Sequence, residues 1–198
     1  MASPASRLRV LVVDEARERA AVLEDGLAQA GCIVLAVVKP GEDLARIVRE
    51  RQPDVIIIDI DSPGRDTLES LRALNRDLPR PIVMFVDTSD STMIEEAMKA
   101  GVSAYVIDGL NAQRVKPVID VAIARFKEYQ ALRDELERTK TSLNDRKIIE
   151  RAKGILMEQR RISEDEAYRA LRRLAMEQNQ RLADVARHLV TFAQLLKP

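Results

Sequence analysis

The chain has almost none of the residue types that build disulfides and zinc sites. Its 198 residues include one cysteine, Cys32, and one histidine, His188. A lone cysteine cannot form an internal disulfide, and one cysteine with one histidine cannot assemble a Cys/His zinc site. These counts exclude a structural metal of this kind and argue against acid–base catalysis by histidine.

Long apolar runs are also missing. No window approaches the roughly 18 apolar residues that a membrane-spanning helix requires, and residues 1–9 lack the apolar run of a secretory signal. We therefore expect a cytoplasmic protein. Hydrophobic residues make up 46% of the chain and charged residues 32%, which is typical of a folded protein, and the length suits two compact units.

The net charge of zero conceals an uneven distribution. Residues 1–138 contain 19 Lys and Arg against 24 Asp and Glu, whereas residues 139–198 contain 13 against 8. A basic C-terminal part is one sign of contact with nucleic acid, although a solvated basic face without a partner is the commoner cause of so small a surplus.

Five short apolar runs alternate with helical patterns in the first part of the chain. The runs cover residues 8–13, 33–38, 55–58, 82–86 and 104–107. This alternation predicts an α/β fold with a doubly wound, flavodoxin-like parallel sheet of five strands. In such sheets the functional crevice lies beyond the carboxyl ends of the strands.

Acidic residues follow two of these runs. Asp14 and Glu15 come after the first run, and Asp59 and Asp61 lie at the end of the third. We expect these carboxylates to converge at one edge of the sheet, where they would suit a hard cation. The alternative is that they are turn formers and helix caps.

Residues 7–125 resemble the receiver domain of bacterial response regulators. The resemblance depends on VVDE at 12–15, PDVIIIDIDSPGRD at 53–66 and AGVSAYV at 100–106. It implies that Asp59 occupies the phosphoacceptor position and that Asp14, Glu15 and Asp59 form a possible Mg²⁺ site. No cofactor is required by this interpretation.

Two positions depart from the receiver pattern. Receivers usually place Ser or Thr after strand four, where this chain has Val86 followed by Asp87, and Lys before Pro after strand five, where it has Asp108 and Gly109. The hydroxyl and the lysine normally stabilise the phosphoryl group. We therefore hypothesise a protein-docking switch with weak or absent phosphotransfer.

A long helix is predicted from residue 115 to about residue 146, because the segment has no glycine and one early proline. A heptad register places Tyr129, Leu136 and Leu143 at a and Leu132 at d, with Glu128 and Glu135 at g and Arg133 and Lys140 at e. This pattern predicts a parallel homodimer formed through Tyr129, Leu132, Leu136 and Leu143. The alternative is an amphipathic helix that packs on its own domain.

Three amphipathic helices are predicted at the basic end, over residues 148–159, 163–178 and 182–196. Ser163 and Glu166 have the spacing of a capping box. The result is a small three-helix bundle with a basic rim. The arginines of this rim are candidates for nucleic-acid contact, or else solubilise the surface or pair with neighbouring glutamates.

Residues 146–190 closely resemble the ANTAR domain, the AmiR and NasT type of RNA-binding antitermination module. The match includes AKGILM at 152–157, SEDEAYRALRRLA at 163–175 and LADVA at 182–186. The resemblance implies a dimer that binds paired stem-loops in nascent leader RNA and prevents a terminator from forming. Residue types suited to RNA then mark the contact candidates, which are Lys153, Tyr168, Arg172 and Arg173, and more weakly Arg146, Arg160 and Arg161.

The whole chain then has the order receiver, coiled coil and ANTAR module. We expect a disordered tail at 1–6, a receiver-like domain at 7–114, a coiled-coil helix at 115–143 and an ANTAR domain at 144–198. PIVMFVDTSD at 81–90 and GVSAYVIDGL at 101–110 resemble the nitrate-assimilation branch, which implies control of nitrate or nitrite genes and an inhibitory ligand-sensing partner protein. The alternative function is a phosphorylated regulator with a DNA-binding output. A third hypothesis, a metal-assisted hydrolase, is disfavoured because the sequence has no substrate-binding motif and no histidine base.

Overall fold

The structure, a computed structural model, describes residues 7–15, 17–107 and 112–195, with the backbone alone for residues 17–22, 112 and 113. The predicted tail at 1–6 and Asp108 lie outside these residues. The chain divides into two compact units, residues 1–130 and 131–198. The elements are β1 (Arg9–Asp14), α1 (Arg17–Gln29), β2 (Ile33–Val38), α2 (Leu44–Arg51), β3 (Val55–Ile60), α3 (Arg65–Asp77), β4 (Ile82–Val86), α4 (Ser91–Lys99), β5 (Ala104–Ile107), α5 (Ala112–Arg160), α6 (Glu164–Glu177) and α7 (Leu182–Leu195).

The first unit is built on a parallel sheet with the strand order β2-β1-β3-β4-β5. All residues of β3 and β4 are buried, which explains why these strands are continuous apolar runs rather than alternating ones. Two apolar clusters cover the two faces of the sheet, one containing Ile56 and Ile58 and the other Val55 and Ile57. The predicted doubly wound fold is confirmed.

The strand order reverses between β1 and β3, which lie side by side at the centre of the sheet. Their register pairs Asp14 with Asp59. The crevice expected at a reversal of strand order therefore opens beside these two residues. The loop between β4 and α4 ends in a helix cap, in which Asp90 Oδ1 accepts a hydrogen bond of 2.8 Å from the Met93 amide.

The second unit contains the C-terminal part of α5 with α6 and α7. Their shared core consists of small and branched apolar residues. The capping box predicted at the start of α6 is confirmed: the Ser163 amide donates to Glu166 Oε2 at 2.9 Å, and the Glu166 amide donates to Ser163 Oγ at 3.4 Å. Among the described residues, no helix has the length and apolar character needed to cross a membrane.

One boundary was predicted wrongly. The sequence indicated one helix ending near residue 146 and a second over 148–159, but a single helix, α5, runs for 49 residues from Ala112 to Arg160. The physical reason is that residues 118–153 contain neither proline nor glycine, so no helix-breaking residue lies near residue 147. Gly154 lies inside the helix and lowers its stability without ending it.

Candidate functional site

Two of the predicted acidic residues lie next to each other at the carboxyl edge of the sheet. Asp14 ends β1 and Asp59 lies in β3, and the parallel register places them opposite one another on strands about 4.8 Å apart. Both residues are 3% exposed. Glu15 follows β1 and is exposed, so the structure brings two of the three predicted carboxylates together.

The acidic edge offers part of a magnesium site. Carboxylate oxygens are the ligands that Mg²⁺ prefers, and Asp14 and Asp59 could supply them. Within residues 7–15, 17–107 and 112–195, however, no group of three or more His, Cys, Asp or Glu side chains is arranged to hold a metal ion.

The loop after β4 confirms the departure from the receiver pattern. Val86 ends β4 and is buried, and Asp87 follows it at the surface. The amides of Asp87 and Thr88 donate to the carbonyl oxygen of Asp61 at 3.3 and 3.4 Å, which joins this loop to the loop after β3. Val86 pairs with Ile60, the residue after Asp59, so the strand next to Asp59 ends in an apolar residue that is followed by an acidic one.

A second candidate site is the exposed face of α6. Ala167, Leu171 and Ala175 are buried on one side of this helix. Four exposed residues lie outside this buried stripe, and we call them the arginine face: Tyr168, Arg169, Arg172 and Arg173. The spacings of three and four residues bring Arg172 close to Tyr168 and Arg169, and Arg173 close to Arg169, along the helix surface.

The guanidinium groups of the arginine face are accessible. Arg172 and Arg173 form no ion pair with the described part of the chain, so their charges are available to a ligand. Tyr168 is 42% exposed, which places its ring beside them rather than in the core. The weaker candidates Arg146, Arg160 and Arg161 are also exposed.

Lys153 differs from the other basic candidates. It is 8% exposed, and its ammonium group lies 2.6 Å from Glu164 Oε1 and 2.8 Å from Glu150 Oε2. Hydrogen bonds to Glu150 and Glu164 raise the pKa of Lys153, and the bond from Lys153 lowers the pKa of Glu164. The structure therefore places this lysine inside the second unit, in contact with carboxylates.

Asp145 makes contacts within the second unit that the sequence did not indicate. Its side chain is mostly buried and accepts a hydrogen bond of 2.8 Å from Arg181 and one of 3.2 Å from Arg187. These two pairs join α5 to the beginning of α7. Arg181 and Arg187 are 36 and 42 residues away from Asp145 in the chain, so no local sequence pattern predicts these contacts.

The predicted dimer residues are exposed. Tyr129, in the first unit, is 59% exposed; in the second unit Leu132, Leu136 and Leu143 are 61%, 53% and 55% exposed. Every residue from 131 to 144 is exposed. This part of α5 therefore presents leucines that no described residue of the chain covers.

Two stretches of the chain match two known families. Residues 10–120 match the response regulator receiver domain. Because this match covers more than half of the chain, the protein belongs to the response regulators. Residues 137–190 match the ANTAR domain, so it is a response regulator in which a receiver domain precedes an ANTAR domain. At the level of the family, this combination defines a non-enzymatic, RNA-binding antitermination regulator.

Individual relatives agree with this assignment. The chain is 28% identical over 178 residues to the transcriptional regulatory protein PdtaR of Mycobacterium tuberculosis, a match that covers 90% of this chain and 87% of that protein. It is 32% identical over 130 residues to the nitrate regulatory protein of Klebsiella oxytoca, covering 65% of this chain and 32% of that protein.

Solved structures support the fold of the first unit. The signal receiver domain of a modulated diguanylate cyclase from Desulfovibrio desulfuricans G20 is similar with a TM-score of 0.55 and 26% identity, covering 63% of this chain and 99% of that one. A response regulator from Thermotoga maritima has a TM-score of 0.54 and 19% identity, covering 60% and 99%; at that identity the likeness concerns the fold alone.

Proposed function

We propose that this regulator binds paired stem-loops in nascent leader RNA as a dimer and prevents a terminator from forming. The observation that carries the proposal is the arginine face of α6, where three guanidinium groups and one tyrosine ring are exposed together. RNA loops present unstacked bases and closely spaced phosphates, which bind to aromatic rings and to arginine.

Dimerisation supplies the second RNA-binding module. The exposed leucines of α5 lie at heptad positions a and d, so a second copy of the helix would cover them. Glu128 and Glu135 would lie opposite Arg133 and Lys140 of the other copy in a parallel arrangement. A parallel pair would place both ANTAR modules at the same end of the coil, as binding to two stem-loops requires.

The receiver acts in this proposal as a docking surface with weak or absent phosphotransfer. Val86 and Asp87 occupy the positions where a hydroxyl would otherwise stabilise a phosphoryl group on Asp59. Asp14 and Asp59 would supply oxygens to any Mg²⁺ that binds. The likeness to the nitrate regulatory protein supports control of nitrate or nitrite assimilation genes and an inhibitory, ligand-sensing partner protein.

The test is binding of the full-length protein to a leader RNA with two hairpins and to duplex DNA of the same sequence. We expect preference for the RNA, with affinity that falls as salt rises because phosphate contacts release counterions. Preference for the duplex would instead support the phosphorylated, DNA-binding alternative. Absence of binding to any two-hairpin RNA at low salt would contradict the proposal.

The arginine face itself is tested by substitution. Arg172→Gln is expected to weaken RNA binding by about 1 to 3 kcal/mol, the usual cost of losing one arginine contact. Arg138→Gln is the matched control, because it removes one exposed positive charge from α5 at a distance from α6 in sequence. Equal losses for the two variants would place the RNA somewhere other than the arginine face.

A further inference from the structure

The contacts of Lys153 point to a role that differs from RNA contact. Lysine is rarely buried unless its charge is paired, because removing an ammonium group from water is costly. Lys153 meets this requirement with two carboxylates at 2.6 and 2.8 Å. Glu150 lies one turn earlier on α5, whereas Glu164 is the first residue of α6. The lysine therefore joins two helices.

The link acts on the helix that carries the arginine face. The buried side of α6 consists of Ala167, Leu171 and Ala175, which pack in the apolar core of the second unit. Apolar packing is non-directional, whereas the ion pair between Lys153 and Glu164 holds two particular atoms 2.6 Å apart. This contact adds a specific positional constraint at the first residue of α6.

The charges of the cluster argue against a phosphate contact at Lys153. One ammonium group and two carboxylates carry a net charge of −1, which repels a polyanion. A phosphate would also have to displace carboxylates at 2.6 and 2.8 Å from a side chain with little exposed surface. The exposed Arg172 and Arg173 have neither obstacle.

From these observations we propose that Lys153 is a positioning residue: it fixes the first turn of α6 to α5 and so sets the placement of the arginine face on RNA. This inference rests on the proposed RNA-binding function. It assigns no direct RNA contact to Lys153 itself.

The direction in which one substitution changes RNA affinity distinguishes a positioning role of Lys153 from a direct phosphate contact. Glu164→Gln keeps the shape of the side chain but weakens the link to Lys153. If Lys153 positions α6, this variant lowers RNA affinity severalfold. If Lys153 contacts phosphate, the variant raises affinity, because it frees the lysine and removes a nearby negative charge. Unchanged or raised affinity for the two-hairpin RNA would overturn the proposal.

The salt dependence of RNA affinity provides a second test, made on Lys153→Met. This variant keeps an unbranched side chain but removes the charge. Loss of a phosphate contact reduces the slope of log K against log salt by about 0.7 to 0.9. We expect Lys153→Met to weaken binding with an unchanged slope, and Arg172→Gln to reduce the slope. A slope reduced by Lys153→Met would contradict positioning.

Amide hydrogen exchange tests the link between α5 and α6 without RNA. In the full-length protein, Glu164→Gln should accelerate exchange in the first turns of α6, with no change in the receiver. If wild-type protein binds no RNA, the proposed function fails while faster exchange still supports the helix link. If exchange in α6 is unaltered by Glu164→Gln, the link does not hold the helix and the positioning role is overturned.

Discussion

Leu136→Ala is expected to weaken self-association about thirtyfold. Leu136 is 53% exposed in the single chain. Complete burial of a leucine contributes about 1.5 to 3 kcal/mol, so covering the exposed half contributes roughly 1 kcal/mol per chain. A dimer contains two copies and loses about 2 kcal/mol, which corresponds to about a thirtyfold higher dissociation constant.

The apolar contribution should exceed that of the charged pairs. An exposed ion pair between the two helices contributes about 0.2 to 1 kcal/mol and is screened by salt. Lys140 already lies 3.2 Å from Glu137 in its own chain, so pairing with Glu135 of a second copy adds less. Raising the salt concentration should therefore weaken the dimer less than Leu136→Ala does.

Sedimentation equilibrium over a range of protein concentrations measures this effect. Thr141→Ala is the matched control, because Thr141 is exposed on the same helix at heptad position f, away from the predicted contact. Dissociation of both variants at the same concentration would refute a dimer contact through Leu136. A wild-type protein that remains a monomer at micromolar concentration would refute the dimer itself.

The remaining predictions concern Gly101, Gly154, Asp59 and Cys32. Gly101→Ala should destabilise the first unit by about 2 kcal/mol, because Gly101 has a φ of +100° and an added Cβ would collide with Asn75; an unchanged melting temperature would contradict this. Gly154→Ala, in open space within α5, should stabilise by about 0.5 to 1 kcal/mol. A small phosphodonor with Mg²⁺ should label Asp59 substoichiometrically by intact mass, and stoichiometric labelling with altered RNA binding would show a working phosphoswitch. Burial raises the pKa of the Cys32 thiol, so less thiolate is present near pH 8 and iodoacetamide should react more slowly with the folded protein than with the unfolded chain; equal rates would contradict the assigned burial.

The sheet could be predicted closely from the sequence because each strand is a short apolar run between polar residues. The predicted bounds of 33–38, 82–86 and 104–107 coincide with β2, β4 and β5. The acidic edge was predictable for a related reason: parallel strands deliver the residues that follow them to one edge, and Asp14 and Asp59 meet there. The continuity of α5 was not predictable from the heptads, because the coiled-coil pattern changes to a core-facing pattern near residue 147 although the helix does not end there.

The roles of the basic residues depend on which side of a helix faces the core, and periodicity resolves this only in part. Arg172 and Arg173 lie off the apolar stripe of α6, and the structure leaves both exposed. Lys153 follows the buried Ala152, and its chemistry is decided by Glu164, eleven residues away on another helix. In the sequence, a lysine that contacts phosphate looks the same as a lysine in a buried ion pair, because both are cations. Only the placement of the carboxylates separates the two roles, and here Lys153 is paired with Glu150 and Glu164 while Arg172 and Arg173 remain exposed.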